Sequence, residues 1–249
     1  MKKILVGTSG YSYLDWVGPV YPERTKEADF VALYAQLFEA VEINFSYYRM
    51  PTALQLQNIA RRAGETLRFS VKANGVLTHK IDDKAWRGEA EKFIQALEPL
   101  RVAGRLDAVL FQFPYSFDYE PGRRRYLDSL LSYFAGFPVA VEFRNSDWYN
   151  NRVIETFRRR ELALVALDMP ALKGLPPLMD VVTAPLAYVR FHGRNEANWW
   201  GSEGAARYDY RYSQAELMAW ADRLAIMAER AGKILVFFNN HWRGQAVEN

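Results

Sequence analysis

Eight apolar, β-branched runs punctuate this chain, and each ends at or beside a residue that donates or accepts hydrogen bonds. In order they are ILVGTS, AVEIN, RFSVK, LDAVLFQ, VAVEF, LALVALD, AYVRFH and KILVFFNNH. Stretches with helical spacing separate most of them, and strands alternating with helices predict a parallel sheet. Eight units spaced by about 33 residues fit a (β/α)8 barrel. An open doubly wound sheet would carry a glycine-rich phosphate loop after its first strand. GTSGYS is neither GxGxxG nor GxxxxGK[ST]. The expected fold is therefore α/β, a single TIM-type barrel over residues 1–249, since no repeat, low-complexity tract or linker divides the chain.

A length of 249 residues is ample for one substantial core. The absence of cysteine excludes disulfides, cysteine-ligated zinc, iron–sulfur clusters and thiol catalysis. Two lysines and a short apolar run before Gly7 are too brief for a signal peptide, and no run of ~18 apolar residues occurs. The chain reads as cytoplasmic, with no membrane partner. A net charge of +3, spread along the sequence, gives a weak pull on anions rather than a nucleic-acid signature.

Barrels of this kind keep their active sites at the C-terminal ends of the strands. Side chains two apart on a strand share a face, so Glu42 and Asn44, Ser70 and Lys72, Glu142 and Arg144, Ala166 and Asp168, and Arg190 and His192 form pairs. With the second member of each pair turned into the mouth, a polar ring forms. It contains Glu42, Lys72, Gln112, Glu142, Arg144, Asp168, Arg190 and His192, with Asn239, Asn240 and His241 at the last strand end. Its three carboxylates face three cations, so mutual neutralisation is the structural alternative to a working site.

The three histidines, His79, His192 and His241, all fall in mouth loops or at strand ends. His192, beside Arg190, is the best acid–base candidate. No cofactor is expected. A divalent metal held by these histidines with Glu142 or Asp168 is a minor alternative, because nearby Lys and Arg disfavour a dication and no HExxH spacing exists. Trp16, Trp148, Trp199, Trp200 and Trp242 fall in the same loops, as do Tyr11, Tyr13 and several further tyrosines. They form either the packing of a lid or a rim suited to sugars and nucleobases. HGRN and NNHWRG bring Arg194 and Arg243 to the strand ends where barrels often bind phosphate.

Several segments resemble a known family: GTSGYSYLDWVGPVYP, AVEINFSYYRMP, RFSVKANGVLTHK, VLFQFPYSF, VEFRNSDW, YVRFHGRN and FFNNHWRGQAVEN. Together, from about Ile4 to Glu248 and in the correct order, they resemble the YecE-like family of domains of unknown function (DUF seventy-two). The resemblance implies a TIM-type barrel and supplies no reaction. The family pattern continues into a final helix, whereas only RGQAVEN follows the last strand end here. The eighth outer helix is expected to be short or missing. The flanks of the first and last strands would then be covered by the neighbouring helices or by a second subunit in a homo-oligomer.

The function this suggests is a hydrolase or lyase acting on an anionic, phosphate- or sugar-containing small molecule. Glu142 or Asp168 would be the general base, His192 its acid–base partner, and Glu42 a further catalytic carboxylate. Lys72, Arg144 and Arg190 would hold the anion, with Gln112, Asn239, Asn240, His241, Trp148 and Tyr11 completing the binding surface. A two-carboxylate glycosidase is less attractive, because strands four and seven end in Gln112 and His192. The rival is a non-catalytic nucleotide or nucleic-acid binding protein, favoured by the aromatic loops and a pI near 9.0. A structural barrel with a relic site is the third reading.

Overall fold

The computed structural model describes residues 3–200 and 207–249, so residues 201–206 of the loop before the last long helix lie outside the described part. Among the described residues, nine parallel strands form one sheet. They are β1 (Lys3–Ser9), β2 (Ala40–Ile43), β3 (Arg68–Lys72), β4 (Leu106–Phe113), β5 (Val139–Phe143), β6 (Ala163–Leu164), β7 (Ala166–Asp168), β8 (Leu186–Phe191) and β9 (Lys233–Phe238). Their order is β6-β5-β4-β3-β2-β1-β9-β8-β7. The two edge pieces, β6 and β7, are halves of one segment separated by Val165. The first half pairs with β5 and the second with β8, while the Val165 amide donates to the Val141 carbonyl at 3.0 Å. The sixth strand of the sequence reading thus changes partner midway and brings the sheet round into a nearly closed TIM-type barrel.

The outer layer contains α1 (Phe30–Leu37), α2 (Phe45–Tyr48), α3 (Ala53–Arg62), α4 (Trp86–Val102), α5 (Pro121–Tyr133), α6 (Asn151–Arg159), α7 (Gln214–Arg230) and α8 (Gln245–Glu248). Ser213 caps α7 through a reciprocal capping box with Glu216, as their spacing predicts. A second box joins Thr52 to Gln55, so α3 starts after Thr52 and Pro51 precedes the cap instead of opening the helix. The Pro-rich connection from 169 to 185 contains no helix. The final helix is a single turn. Ile4 and Val6 on β1 therefore remain 40% and 39% exposed, whereas β9 is buried from Ile234 onward.

Alternation divides the strand side chains between two cores. Leu5, Ala108, Leu110, Ala140, Val165, Tyr188, Leu235 and Phe237 pack together inside the barrel. Val71, Val109, Phe111, Val141, Leu164, Val189 and Val236 face the helices. At Gly7 the strands come so close that a Cβ would sit 1.9 Å from the Ala40 carbonyl oxygen. The apolar interior fills the barrel's lower layers and leaves the polar strand ends stacked above it.

Candidate active site

The interior phase of each uninterrupted strand carries its last polar residue to the mouth. On β2, Ala40 inside the barrel predicts Glu42; on β5, Ala140 predicts Glu142; on β8, Tyr188 predicts Arg190. These side chains form a buried knot. Arg190 donates through Nη2 to Glu42 Oε1 at 2.7 Å and through Nη1 to Glu142 Oε2 at 2.6 Å. The other Glu42 oxygen accepts from the Tyr188 hydroxyl at 2.6 Å, which also bonds Ser70 Oγ at 2.8 Å. Arg144 Nε donates to Glu142 Oε1 at 2.5 Å.

His192 lies against this knot. Asn239 Nδ2 is 3.0 Å from its Nδ1, Arg144 Nη2 is 3.3 Å from the same atom, and its Nε2 lies 3.2 Å from Glu142 Oε1. Burial drives His192 well below the usual histidine range, and Arg144 pushes the same way, so the ring is neutral. Burial alone would raise Glu142, but Arg190 and Arg144 outweigh it and hold the carboxyl well below the usual carboxylate range. Glu142 and Glu42 are spent on the two arginines. The mutual neutralisation foreseen from the sequence accounts for these four charges.

Above the knot lie two adjoining lobes, of about 390 and 290 Å³, which share Tyr48, Lys72, Arg144 and Tyr208 in their walls. Tyr11, Tyr13, Asn44, Arg190, Asn239 and His241 line the first lobe. His79, Gln112, Trp199, Trp200 and Arg207 line the second. Among the described residues, no Asp or Glu lines either lobe. Lys72, at the end of β3, makes no ion pair among the described residues. Its Nζ sits 4.4 Å from the Tyr47 ring centroid. Burial lowers Lys72 to about 7, with Arg190 and Arg144 adding to the shift against the opposing pull of Glu42 and Glu142. His79 falls to about 4 through burial and the charges of Lys72 and Arg144. Burial also lowers His241, whose ring stacks on Tyr13 with centroids 4.5 Å apart.

Four residues that the sequence placed at the site lie elsewhere. Asp168 sits behind the barrel wall, because Ala163, Val165, Leu167 and Met169 face the interior core and unbroken alternation turns Ala166 and Asp168 outward. Its carboxylate accepts from Arg194, from the Tyr212 hydroxyl at 2.7 Å and from Trp220 Nε1 at 2.6 Å. It anchors α7 and the loop before it. Arg194 is fully engaged by Asp168 and Glu216, which removes it as a phosphate ligand. Asn240 follows Asn239 onto the opposite face and donates to the Tyr210 carbonyl and to Asn249. Trp148 stacks on Phe143 with centroids 4.2 Å apart and donates to the Phe117 carbonyl, so it packs beneath the helices.

The remaining predicted residues gather at the mouth. Lys72, Arg144, Arg190, Asn239, His241 and Tyr11 line the first lobe and Gln112 the second, while Glu42, Glu142 and His192 lie in the knot below. Sequence reasoning missed Tyr188, Ser70 and Arg207 as site residues, while Tyr208 was among the loop tyrosines expected at the aromatic rim and lines both lobes. Tyr188 shares the face of Arg190 and Ser70 that of Lys72, so the alternation already contained both. Nothing in the sequence signalled Arg207.

The match to known proteins agrees with this architecture. Residues 5–249 fit the family model described as a protein of unknown function, DUF72. The chain belongs to the DUF72 family. The crystal structure of a DUF72 family protein from Thermotoga maritima MSB8 superposes with a TM-score of 0.90 at 37% identity, covering 99% of this chain and 95% of that one. A second, from Enterococcus faecalis V583, gives a TM-score of 0.87 at 25% identity over 98% and 92% of the two chains. The UPF0759 protein YunF of Bacillus subtilis (strain 168) is 29% identical over 261 residues, 99% of this chain and 92% of the relative. DUF72 membership fixes the barrel, and the chemistry must be argued from the mouth. Among the described residues of this DUF72 protein, no group of three His, Asp or Glu side chains is placed to hold a metal ion.

Proposed function

We propose that this protein is a small-molecule enzyme that binds an anionic substrate in the two-lobed mouth and acts on it as a lyase or hydrolase. The observation that carries the reading is the lining itself: Lys72, Arg144, Arg190 and Arg207 contribute to the walls, and among the described residues no carboxylate does. With Glu42 and Glu142 already matched by Arg190 and Arg144, Lys72 and Arg207 supply the charge left over for a ligand. Cavities of this size suit a small molecule. The aromatic wall formed by Tyr115, Trp199, Trp200 and Tyr208 suits a planar or ringed portion.

The same lining redistributes the catalytic roles expected from the sequence. Glu142 is held as a carboxylate by two guanidinium groups, which makes it a weak base, and His192 is buried beneath the floor. In this reading both are positioning residues that fix Arg144 and Arg190. Groups that meet the substrate are Lys72, His241, His79 and the tyrosines, a set that favours lyase chemistry over carboxylate-driven hydrolysis.

Inorganic phosphate, titrated calorimetrically into wild type and Arg207→Gln, tests the reading. Loss of one charge-assisted contact, worth about 1.5–3 kcal/mol, corresponds to roughly a ten- to hundredfold weaker affinity. Failure of phosphate to bind, or identical affinity in the two proteins, would contradict it. Phosphate-insensitive binding of a single-stranded oligonucleotide with steep salt dependence would favour the rival binding protein.

A further inference from the structure

We infer that Lys72 is the catalytic nucleophile of this site, an amine that condenses with a carbonyl group of the anionic substrate to form an imine. The inference rests on the anion-binding reading above and narrows its substrate class to anionic aldehydes and ketones. Lys72 ends β3 in the interior phase set by Ser70, and its side chain lines both lobes, so a substrate spanning them passes over Nζ.

Its backbone is fixed: the Ser46 hydroxyl donates to the Lys72 carbonyl at 2.6 Å, and Asn74 Nδ2 donates to the Ser46 carbonyl at 2.7 Å. Those bonds fasten α2 to the end of β3 and set the Tyr47 ring against the amine. The carboxylates near Nζ among the described residues, Glu42 and Glu142, are engaged by Arg190 and Arg144, so neither holds it as a static ion pair. A lysine kept only to complete the fold would be expected to have such a partner.

The groups facing the amine are Glu42 on β2, Glu142 on β5, Arg144 just after it, Arg190 on β8, His79 after β3 and Tyr47 on α2. Burial and the two guanidinium groups bring the amine to about 7, so a large share is uncharged at neutral pH. In the reaction the Nζ lone pair forms a C–N bond to the carbonyl carbon, while the π electrons of the C=O bond take a proton at oxygen. The carbinolamine then loses that oxygen with the two amine hydrogens as water, leaving C=N. No oxidant or reductant is needed. The protonated imine withdraws electrons from the adjacent carbon, which eases C–C or C–H cleavage there.

Reductive trapping tests this. The full-length protein is incubated near pH 7 with cyanoborohydride and, separately, pyruvate, dihydroxyacetone phosphate or pyridoxal 5′-phosphate, and adducts are mapped by peptide mass. The uncharged fraction of Lys72 exceeds that of an ordinary lysine on the order of a thousandfold at this pH, so one of the nine lysines should dominate. Lys72→Met and Lys72→Arg, with folding checked by thermal unfolding, should both lose the adduct.

Labelling spread over other lysines, or undiminished in Lys72→Met, would overturn the inference. If wild type binds phosphate but none of the three carbonyl probes labels Lys72, the imine falls and the anion site stands. If phosphate also fails to bind, both fall.

Discussion

Removing Arg190 should expose how tightly the knot beneath the site is balanced. Its guanidinium is 1% exposed and bridges two fully buried carboxylates at 2.7 and 2.6 Å. Arg190→Met keeps much of the stem's packing but leaves Glu42 with only the Tyr188 hydroxyl and Glu142 with Arg144. Breaking a buried pair from one side costs about 3–5 kcal/mol. For a chain of this size that is a fall of roughly 6–20 °C in Tm, at about 2–4 °C per kcal/mol.

The pH dependence follows from the same charges. In wild type Glu142 is held below its ordinary value, so its stabilisation is complete above the unfolded carboxylate range and lost as pH falls through the folded value. In the variant, burial without Arg190 lifts the Glu142 carboxyl, and the cost of its charge grows as pH rises above that range. The first effect is essentially complete at both pH 5 and pH 7.5, so the second makes the deficit larger near pH 7.5 than near pH 5. Urea unfolding of both proteins at the two pH values measures it. A deficit under about 1 kcal/mol, or one independent of pH, would refute the claim that Arg190 compensates the buried charge.

Asp168→Asn should destabilise the protein by about 1–3 kcal/mol in urea unfolding, because Arg194, Tyr212 and Trp220 converge on its carboxylate. Phosphate affinity should not change, since Asp168 lines neither lobe. Sulfate, whose charge is constant across neutral pH, should bind most tightly below about pH 7 and weaken as pH rises and the Lys72 ammonium is lost; calorimetry should register proton uptake on binding. Gly7→Ala should sharply lower Tm and soluble yield, since its Cβ would strike the Ala40 carbonyl. An oligomer shielding Ile4 and Val6 would dissociate in Val6→Lys by light scattering, and a monomeric wild type would end that expectation.

The barrel was legible because eight apolar runs kept their period of two up to a polar end. Where a strand runs unbroken, as β5 and β8 do, parity alone placed Glu142, Arg144, Arg190 and His192 together. It failed at Asp168, because the interior phase of the sixth strand runs through Ala163, Val165, Leu167 and Met169, so its polar end falls on the outer face and does not turn into the mouth. Asn240 was misplaced for a different reason: it and Asn239 are consecutive, so only one can face inward. Trp148 shows the limit for loops, where an aromatic at the mouth and one packed beneath a helix look alike in sequence. The division of roles was likewise hidden. Three carboxylates and three cations looked balanced, yet Asp168 leaves the ring with Arg194, and among the described residues Lys72 remains without an acidic partner.

That unmatched amine is the centre of the account, and its protonation is directly measurable. The chemical shift of Lys72 Cε, followed by NMR in protein labelled with 13C-lysine and assigned with Lys72→Met, reports its titration with and without phosphate. The expected midpoint is near 7 and moves upward when phosphate binds. A midpoint at the ordinary lysine value, unmoved by phosphate, would contradict it.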